Sequence, residues 1–384
     1  NVLETETLIR EALDASIPLK EELLQKLAEW EELPGSVIKS LNDMDHGLLA
    51  EVLISGYNYP EDHILFDPIP NFIFTRDIGI VIKDHILLNK PAKKARIREA
   101  LLAKYIFYNH PLFSGYQQNI IELSDTRRHF LMPRDGEDKK VTLEGGDVMV
   151  VSPNHLLVGV SERTSMEAAH QVIRILFDKQ LVNKISVVKI PRKRDYMHID
   201  TVFTQVKRNV WVMLGNFSKA AIHREAADPV QRILDAPKKD DSLRIIQFHK
   251  NNTSQPVYMD NLEDLLTDIS TNDLKCRDKV QFVYSGNNEF PYDSREQWTD
   301  SCNLLALKEG VVLGYDRNDK TTEAFRRQGF AVREAKEMVD ALENGTITPG
   351  EVKDTLILIP SAELSRARGG FHCMSMPLRR DEVE

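Results

Sequence analysis

The sequence predicts an α/β protein in which a helical segment precedes a repeated unit of two strands, a helix and a strand. Apolar residues in roughly the first 57 positions recur at helical spacing, and from about residue 70 the spacing becomes that of short strands. Pairs of such strands, each followed by a helix and a third strand, recur four times. The 384 residues allow two or three domains, or one large domain with an insertion.

Residues 1–60 are predicted to form a helical subdomain of three amphipathic helices. Their apolar faces centre on Leu8, on Leu23 and on the run from Ile38 to Leu53. Pro34 and Gly35 separate the last two helices, because proline removes a hydrogen-bond donor and glycine reaches left-handed dihedral angles.

Residues 61–384 are predicted to form an α/β catalytic domain built from the repeated unit. The four copies are predicted at 71–123, 147–190, 201–284 and 303–359, the first opening on an extended run from Asn71 to Asp77. Thr164 and Glu167 match a capping box that would open the helix of the second copy. Because each unit can bury its apolar face only against its neighbours, four similar units suggest a closed or nearly closed ring. The segments 227–250 and 334–352 are predicted to be surface elaborations.

Composition excludes several classes of function. The chain carries 50 basic and 59 acidic residues, a net charge of -9, so we expect no general affinity for nucleic acid or for an anionic membrane. It has no run of about 18 apolar residues and no leader-like start. Cys276, Cys302 and Cys373 are odd in number and lack Cys-x-x-Cys spacing, which argues against a disulfide framework or a zinc site. We therefore expect a cytoplasmic protein.

Polar residues that could carry chemistry fall at the beginnings of the predicted hairpins. Asp77 opens the first copy, Glu144 the second, and His198 with Asp200 the third, while Cys373 follows the last strand behind a Gly-Gly pair. In a ring this places them on one central face. A cysteine, a histidine and several carboxylates without metal-ligand spacing favour attack of a thiolate on a cationic group that the carboxylates hold.

The motifs, in their order along the chain, resemble the arginine deiminases of the guanidino-group-modifying, or pentein, superfamily. The matching segments are Pro70–Asp77, Leu143–Met149, Ser161–Thr164, Met197–Phe203, Arg295–Trp298 and Arg368–Met374. This resemblance implies an α/β propeller of five ββαβ units about a pseudo-fivefold axis, with a helical insertion. Since four units are visible, we expect the first strands of the ring to precede Asn1.

The resemblance also implies a role for each matched residue. Cys373 corresponds to the nucleophile, His198 to the general acid and base, Asp77 and Asp200 to the carboxylates that grip the guanidinium group, and Glu144 to the glutamate that contacts substrate and histidine. The implied reaction is hydrolysis of L-arginine to L-citrulline and ammonia through a covalent thiouronium on the cysteine. We expect neither a metal nor an organic cofactor.

A second group of matched residues is implied to select the substrate. Arg96, Arg163 and Arg368 align with positions that bind the α-carboxylate, and Asn71 lies close by. The arginine fork suits a carboxylate, although surface arginines are common and mostly solvated. Such a clamp favours free L-arginine over agmatine, which has no carboxylate. L-Arginine is thus the expected partner, and we expect a homo-oligomer.

Two departures from the family pattern and two other functions stay open. The chain has Asp300-Ser301-Cys302-Asn303 where the family commonly has Asp-Gly-Asn-Asn, and Phe371 where a third glycine often stands. One alternative is another guanidino-modifying enzyme, a hydrolase of agmatine or methylarginine or an amidinotransferase. The other is a catalytically silent arginine-binding protein on the same fold.

Overall fold

A computed structural model describes residues 2–15, 17–125, 140–193, 195–221 and 243–380. Helices and strands are mixed in it, which confirms the predicted α/β class. Contacts between residues divide the described chain into two units. The first comprises the residues up to Glu122 and those from Leu378, and the second runs from Leu123 to Pro377. The division into 1–60 and 61–384 stays a prediction.

The first unit begins with four helices, which confirms the predicted helical character of its first segment. They are α1 Thr5–Ala15, α2 Ile17–Glu31, α3 Gly35–Asp43 and α4 His46–Ser55. Buried side chains on one face of each include the predicted Leu8, Leu23 and Leu53. Among the described residues, no helix is both long enough and apolar enough to cross a bilayer.

The prediction of one continuous helix from Ile38 to Leu53 is wrong. The chain leaves the helical conformation at Met44, and the Asp45 carboxylate then accepts the N–H groups of Gly47 and Leu48, each at 3.0 Å. Aspartate is a preferred N-cap because its oxygen satisfies N–H groups that have no partner inside the helix. A second helix therefore starts at His46, where the apolar periodicity shows no break.

The remaining described elements follow the predicted order of strands and helices. The strands are β1 Tyr57–Asn58, β2 His63–Ile64, β3 Gly79–Ile82, β4 His85–Leu88, β5 Ile120–Ile121, β6 Val148–Ser152, β7 His155–Val160, β8 Lys184–Lys189, β9 Phe203–Lys207, β10 Val210–Met213, β11 Arg244–His249, β12 Val257–Met259, β13 Gln281–Tyr284, β14 Leu305–Lys308, β15 Val311–Tyr315, β16 Ala331–Glu334 and β17 Thr355–Ile359. The α-helices are α5 Ile97–Asn109, α6 Met166–Asp178, α7 Leu262–Asp268, α8 Tyr292–Trp298, α9 Asp319–Arg327 and α10 Ala335–Glu343.

The same strand pairing recurs four times. In each case two neighbouring strands pair antiparallel, and a third strand, reached through a helix, pairs parallel with the second. These sets are β3-β4-β5, β6-β7-β8, β9-β10-β13 and β14-β15-β17. A parallel partner needs a crossover connection, which the helix supplies. The predicted ββαβ unit is present once in the first unit of the chain and three times in the second.

Both predicted elaborations contain regular structure. Strand β11, which lies in the first elaboration, and the following strand β12 extend the sheet that contains β6, β7 and β8. The strand order of this sheet is β12-β11-β8-β7-β6. Strand β16 pairs with β17. Residues 227–242 of the first elaboration lie outside the described residues. Ile245 in β11 has a buried side chain, so this part of the first elaboration packs against the rest of the sheet's core and is not only a solvated surface segment. Helix α10 lies within the second elaboration.

The extended run predicted from Asn71 to Asp77 is instead a pair of 3₁₀ turns, Pro70–Ile73 and Thr75–Ile78. A 3₁₀ turn also precedes β6, at Gly145–Asp147, and β9, at Ile199–Thr201. Each of the last three turns contains an aspartate just before the first strand of a hairpin. These turns place the polar motifs of the sequence.

We expect Asp45→Ala to lower the free energy of unfolding by about 1 kcal/mol, because the first turn of α4 loses its cap. Asp43→Ala is the matched control, since Asp43 is the exposed last residue of α3. Urea unfolding followed by circular dichroism measures both. Equal midpoints for the two variants would contradict the assigned cap.

Candidate active site

The second unit contains a fully buried carboxylate, that of Asp200. Its Oδ2 atom accepts the thiol of Cys373 at 3.5 Å and lies 2.9 Å from Nδ1 of His372. Cys373 is only 6% exposed. A buried carboxylate is costly unless charge or hydrogen bonds compensate it, so these contacts hold the cysteine loop against the Ile199–Thr201 turn.

Asn303 fixes the distance between that turn and the cysteine loop. Its amide nitrogen donates to the Asp200 carbonyl at 3.1 Å, and its amide oxygen accepts the Cys373 N–H at 3.0 Å. Gly370 packs so closely that a β-carbon there would come within 2.3 Å of the Asn303 carbonyl oxygen. Gly370 is therefore needed for close packing behind the cysteine.

Two more residues hold the loop from the other side. The Asp300 carboxylate accepts the Gly369 N–H at 2.8 Å, and the Tyr315 hydroxyl donates to the Gly369 carbonyl at 2.8 Å. Burial raises the pKa of Asp300 to about 6, against the opposing effect of the Arg368 charge. The ring of Phe371 packs on Tyr315, with centroids 4.7 Å apart. The two departures noted in the sequence thus lie in the structure that supports Cys373.

A second buried pair joins two more of the predicted catalytic residues, His198 and Glu144. Nε2 of His198 lies 3.0 Å from Oε2 of Glu144, whose side chain is fully buried. The Glu144 N–H is held by the Thr164 hydroxyl at 3.2 Å. The predicted capping role of Thr164 is wrong, because Ser165 caps α6 through the Ala168 N–H. Thr164 supports the glutamate instead.

The His198 ring packs directly against the backbone of Gly146. A β-carbon on Gly146 would lie 2.6 Å from Nδ1 and 2.7 Å from Cγ of that ring. Contacts of this length are shorter than side chains tolerate, so the ring can pack here only against a glycine. The Glu144-Gly145-Gly146 motif therefore supplies both the partner of the histidine and the space for it.

Asp147, which the sequence analysis did not assign a role, ties the two motifs together. Its carboxylate accepts the Ser161 hydroxyl at 2.6 Å and the Ile199 N–H at 3.0 Å. Burial raises the pKa of Asp147 to about 6, opposed first by the charge of His198. This aspartate holds the turn that carries His198 and Asp200.

Predicted site residues in the first unit form a different cluster. Nη1 of Arg96 bonds Oδ2 of Asp77 at 2.8 Å, and Nε of Arg96 bonds Oε2 of Glu99 at 2.8 Å. All three side chains are buried, whereas Asn71 is exposed on its 3₁₀ turn. The planar guanidinium of Arg96 is thus bonded to two buried carboxylates, one of them that of Asp77.

The other two predicted carboxylate-binding arginines belong to the second unit. Nη1 of Arg163 lies 3.7 Å from Oε1 of Glu144, the residue whose other carboxylate oxygen contacts His198. The Arg368 guanidinium lies over the Trp298 ring, 3.8 Å from its centroid. The second unit thus brings together Cys373 with Asp200, and His198 with Glu144 and Arg163.

Comparison with known proteins decides the family. A sequence model of the arginine deiminase family matches residues 1–380. The chain belongs to the arginine deiminase family. The predicted family is confirmed, and with it the enzyme class, a hydrolase acting on the carbon–nitrogen bonds of amidines.

Curated relatives give the same answer along nearly the whole chain. The arginine deiminase of Borrelia garinii is 30% identical over 399 residues, covering 98% of this chain and 82% of that protein. The arginine deiminase of Clostridium perfringens is 29% identical, covering 100% of this chain and 84% of that one.

Among solved structures, a dimethylarginine dimethylaminohydrolase in an adduct with S-methyl-L-thiocitrulline matches at a TM-score of 0.43 and 16% identity, over 80% of this chain and 76% of that one. The N-terminal domain of a cyanobacterial arginine dihydrolase matches at 0.44 and 13%, over 80% and 75%.

Sequence reasoning missed the residues that support the reacting groups of this arginine deiminase family member. His372 was assigned no role in the sequence analysis, yet its ring contacts Asp200. Asn303 and Asp300 stood out only as part of a departure from the family pattern. A possible signal was their spacing, since an aspartate and an asparagine three residues apart can both bond backbone N–H groups in one turn.

We expect Asn303→Ala to destabilise the protein by about 2 to 4 kcal/mol, because two buried backbone groups lose their partners. Iodoacetamide should then alkylate Cys373 faster, since the loop is no longer held. Asn252→Ala, at an exposed asparagine, is the control and should change neither property. An alkylation rate equal to that of the unsubstituted protein would show that Asn303 does not hold the loop.

We expect Gly146→Ala to slow ammonia release from L-arginine by about 100-fold, because a displacement of about 1 Å at a reacting group can cost this much. Gly350→Ala, where a β-carbon meets nothing within 4 Å, should keep the full rate. Steady-state ammonia assays on the two purified variants make the comparison. Full activity in Gly146→Ala would contradict the position of His198.

Proposed function

We propose that this protein hydrolyses L-arginine to L-citrulline and ammonia, with Cys373 as the nucleophile. The observation that carries the proposal is the 3.5 Å contact between the Cys373 sulfur and the Asp200 carboxylate. A carboxylate is the group that binds a guanidinium most strongly. A guanidinium bound to Asp200 would bring its central carbon next to the sulfur.

The first half of the reaction forms a carbon–sulfur bond and breaks a carbon–nitrogen bond. The deprotonated sulfur adds to the guanidinium carbon and gives a neutral tetrahedral adduct. Protonated His198 then donates a proton to one amino nitrogen, which leaves as ammonia, and a positively charged thiouronium remains on Cys373. Glu144, 3.0 Å from Nε2, orients the ring and stabilises its protonated form.

The second half uses the neutral histidine as a base. His198 removes a proton from water as the oxygen adds to the thiouronium carbon. Collapse of this second adduct breaks the carbon–sulfur bond and returns the sulfur as an anion, while the hydroxyl proton of the adduct is lost to solvent, where it can join the released ammonia, and the carbonyl group of L-citrulline forms. The electron pair leaves with sulfur, and the proton gained by His198 is ready for the next ammonia.

Asp200 also links substrate binding to formation of the sulfur anion. In the structure its negative charge faces the thiol, which opposes a second negative charge at 3.5 Å. A bound guanidinium offsets the carboxylate charge and itself attracts the sulfur anion. Substrate binding would therefore favour the reactive form of the cysteine.

The roles of the remaining predicted site residues are also part of the proposal. Asp77 would be a second ligand of the substrate guanidinium, and Arg96, with Asn71, Arg163 and Arg368, would bind the α-carboxylate. The bond between Asp77 and Arg96 supports a coupling of the two roles, since changing Asp77 removes one of the two carboxylates that hold the buried Arg96.

The detailed fold of the protein, its cellular location, its cofactor requirement and its partners are proposals too. Four ββαβ units support an α/β propeller of five units about a pseudo-fivefold axis. We also propose a cytoplasmic enzyme that needs no metal or organic cofactor, binds neither nucleic acid nor membrane and forms a homo-oligomer. A net charge of -9 and three cysteines without a paired spacing favour this setting.

The proposal predicts turnover of L-arginine with equal amounts of citrulline and ammonia. Agmatine should react at least about 100-fold more slowly, because it lacks the carboxylate that the proposed arginines bind. Cys373→Ala should abolish turnover, while calorimetry should still detect bound L-arginine. Parallel assays with arginine, agmatine and methylarginine test the specificity.

Other outcomes would point to the alternative functions. Efficient reaction of agmatine or methylarginine would assign the protein to another guanidino-modifying activity. Binding of L-arginine without turnover in the unsubstituted protein would leave a silent arginine-binding protein.

A further inference from the structure

Trp298 is an exposed aromatic residue beside the site, and no step of the proposed reaction uses it. It is the last residue of α8 and is 49% exposed. The Arg368 guanidinium carbon lies 3.8 Å from the centroid of the Trp298 ring, which is the geometry of a close cation–π stack. Trp298 thus contacts one of the residues proposed to bind the substrate carboxylate.

The backbone fixes where the Arg368 side chain begins. Arg368 has φ +62° and ψ 103°, a conformation that side chains rarely adopt, and the next residue is anchored by the bond from the Gly369 N–H to Asp300 at 2.8 Å. A long arginine side chain leaving this fixed point would still be free to rotate about several bonds. Stacking on Trp298 removes much of that freedom.

The contact with Trp298 and a contact with a carboxylate involve different parts of the guanidinium group. A guanidinium is planar, and its N–H donors point outward within the plane. Stacking on an indole uses the face of the plane, whereas a bidentate carboxylate contact uses the edge. An arginine held in this way presents its donor edge with little further loss of conformational freedom on binding.

We propose that Trp298 is a positioning residue for substrate specificity: its contact with the Arg368 guanidinium fixes the orientation in which Arg368 meets the α-carboxylate of the amino-acid substrate. This inference rests on the proposed function. It assigns Trp298 to binding and not to the chemical step, because the residue that Trp298 contacts, Arg368, is proposed to bind the substrate carboxylate.

The test separates binding from catalysis by substitution of Trp298. Trp298→Ala should raise KM for L-arginine about 5- to 30-fold, the range expected for loss of a cation–π contact, and should change kcat less than about threefold. Trp298→Phe keeps an aromatic face and should stay within about threefold of the unsubstituted KM. The inhibition constant of agmatine, which has no carboxylate, should change less than about twofold in both variants.

Trp30→Ala is the matched control, because Trp30 in α2 is 47% exposed and belongs to the helical segment. An unchanged KM in Trp298→Ala, an equal loss in the alanine and phenylalanine variants, or a loss confined to kcat would each overturn the inference. Absence of turnover in the unsubstituted protein would remove the proposed function. Normal turnover there, with an unchanged KM in Trp298→Ala, would remove only the role of Trp298.

Discussion

The site depends on the compensation of one fully buried carboxylate, that of Asp200. Removing a carboxylate from water is strongly unfavourable unless hydrogen bonds and opposite charge replace the lost hydration. Here the thiol of Cys373 and the ring of His372 lie against it, and Asn303 bonds the carbonyl of the same residue. The groups that compensate the buried carboxylate also place Cys373, the proposed nucleophile, beside it, so in our proposal stability and function depend on the same contacts.

The repeated ββαβ unit supplies one architecture for several different carboxylates. Asp77, Asp147 and Asp200 each lie in a 3₁₀ turn just before the first strand of a hairpin. Their partners differ: Asp77 bonds an arginine, Asp147 bonds a serine hydroxyl and a backbone N–H, and Asp200 accepts the cysteine thiol. The repeat fixes the position of the acid, and the surrounding side chains decide whether it supports the fold or faces the reacting group.

The sequence could predict the repeated unit and the family, because both depend on local patterns. Alternating apolar residues gave the hairpins, and the motifs around Glu144, His198 and Cys373 carried the family resemblance. It could not predict the break at Asp45, since a cap changes hydrogen bonding without interrupting the apolar period. Nor could it predict that Asn303 bonds Cys373, a contact between residues 70 positions apart.

The most direct test of the central claim is a search for the carbon–sulfur bond. The protein would be mixed with L-arginine labelled with ¹³C at the guanidino carbon, quenched with acid within milliseconds, digested and analysed by mass spectrometry. The account predicts a labelled thiouronium on the peptide that contains Cys373, formed and lost at rates that permit the measured turnover. Turnover of the labelled substrate in an enzyme whose cysteine peptide never carries the label, even as a transient species, would contradict it.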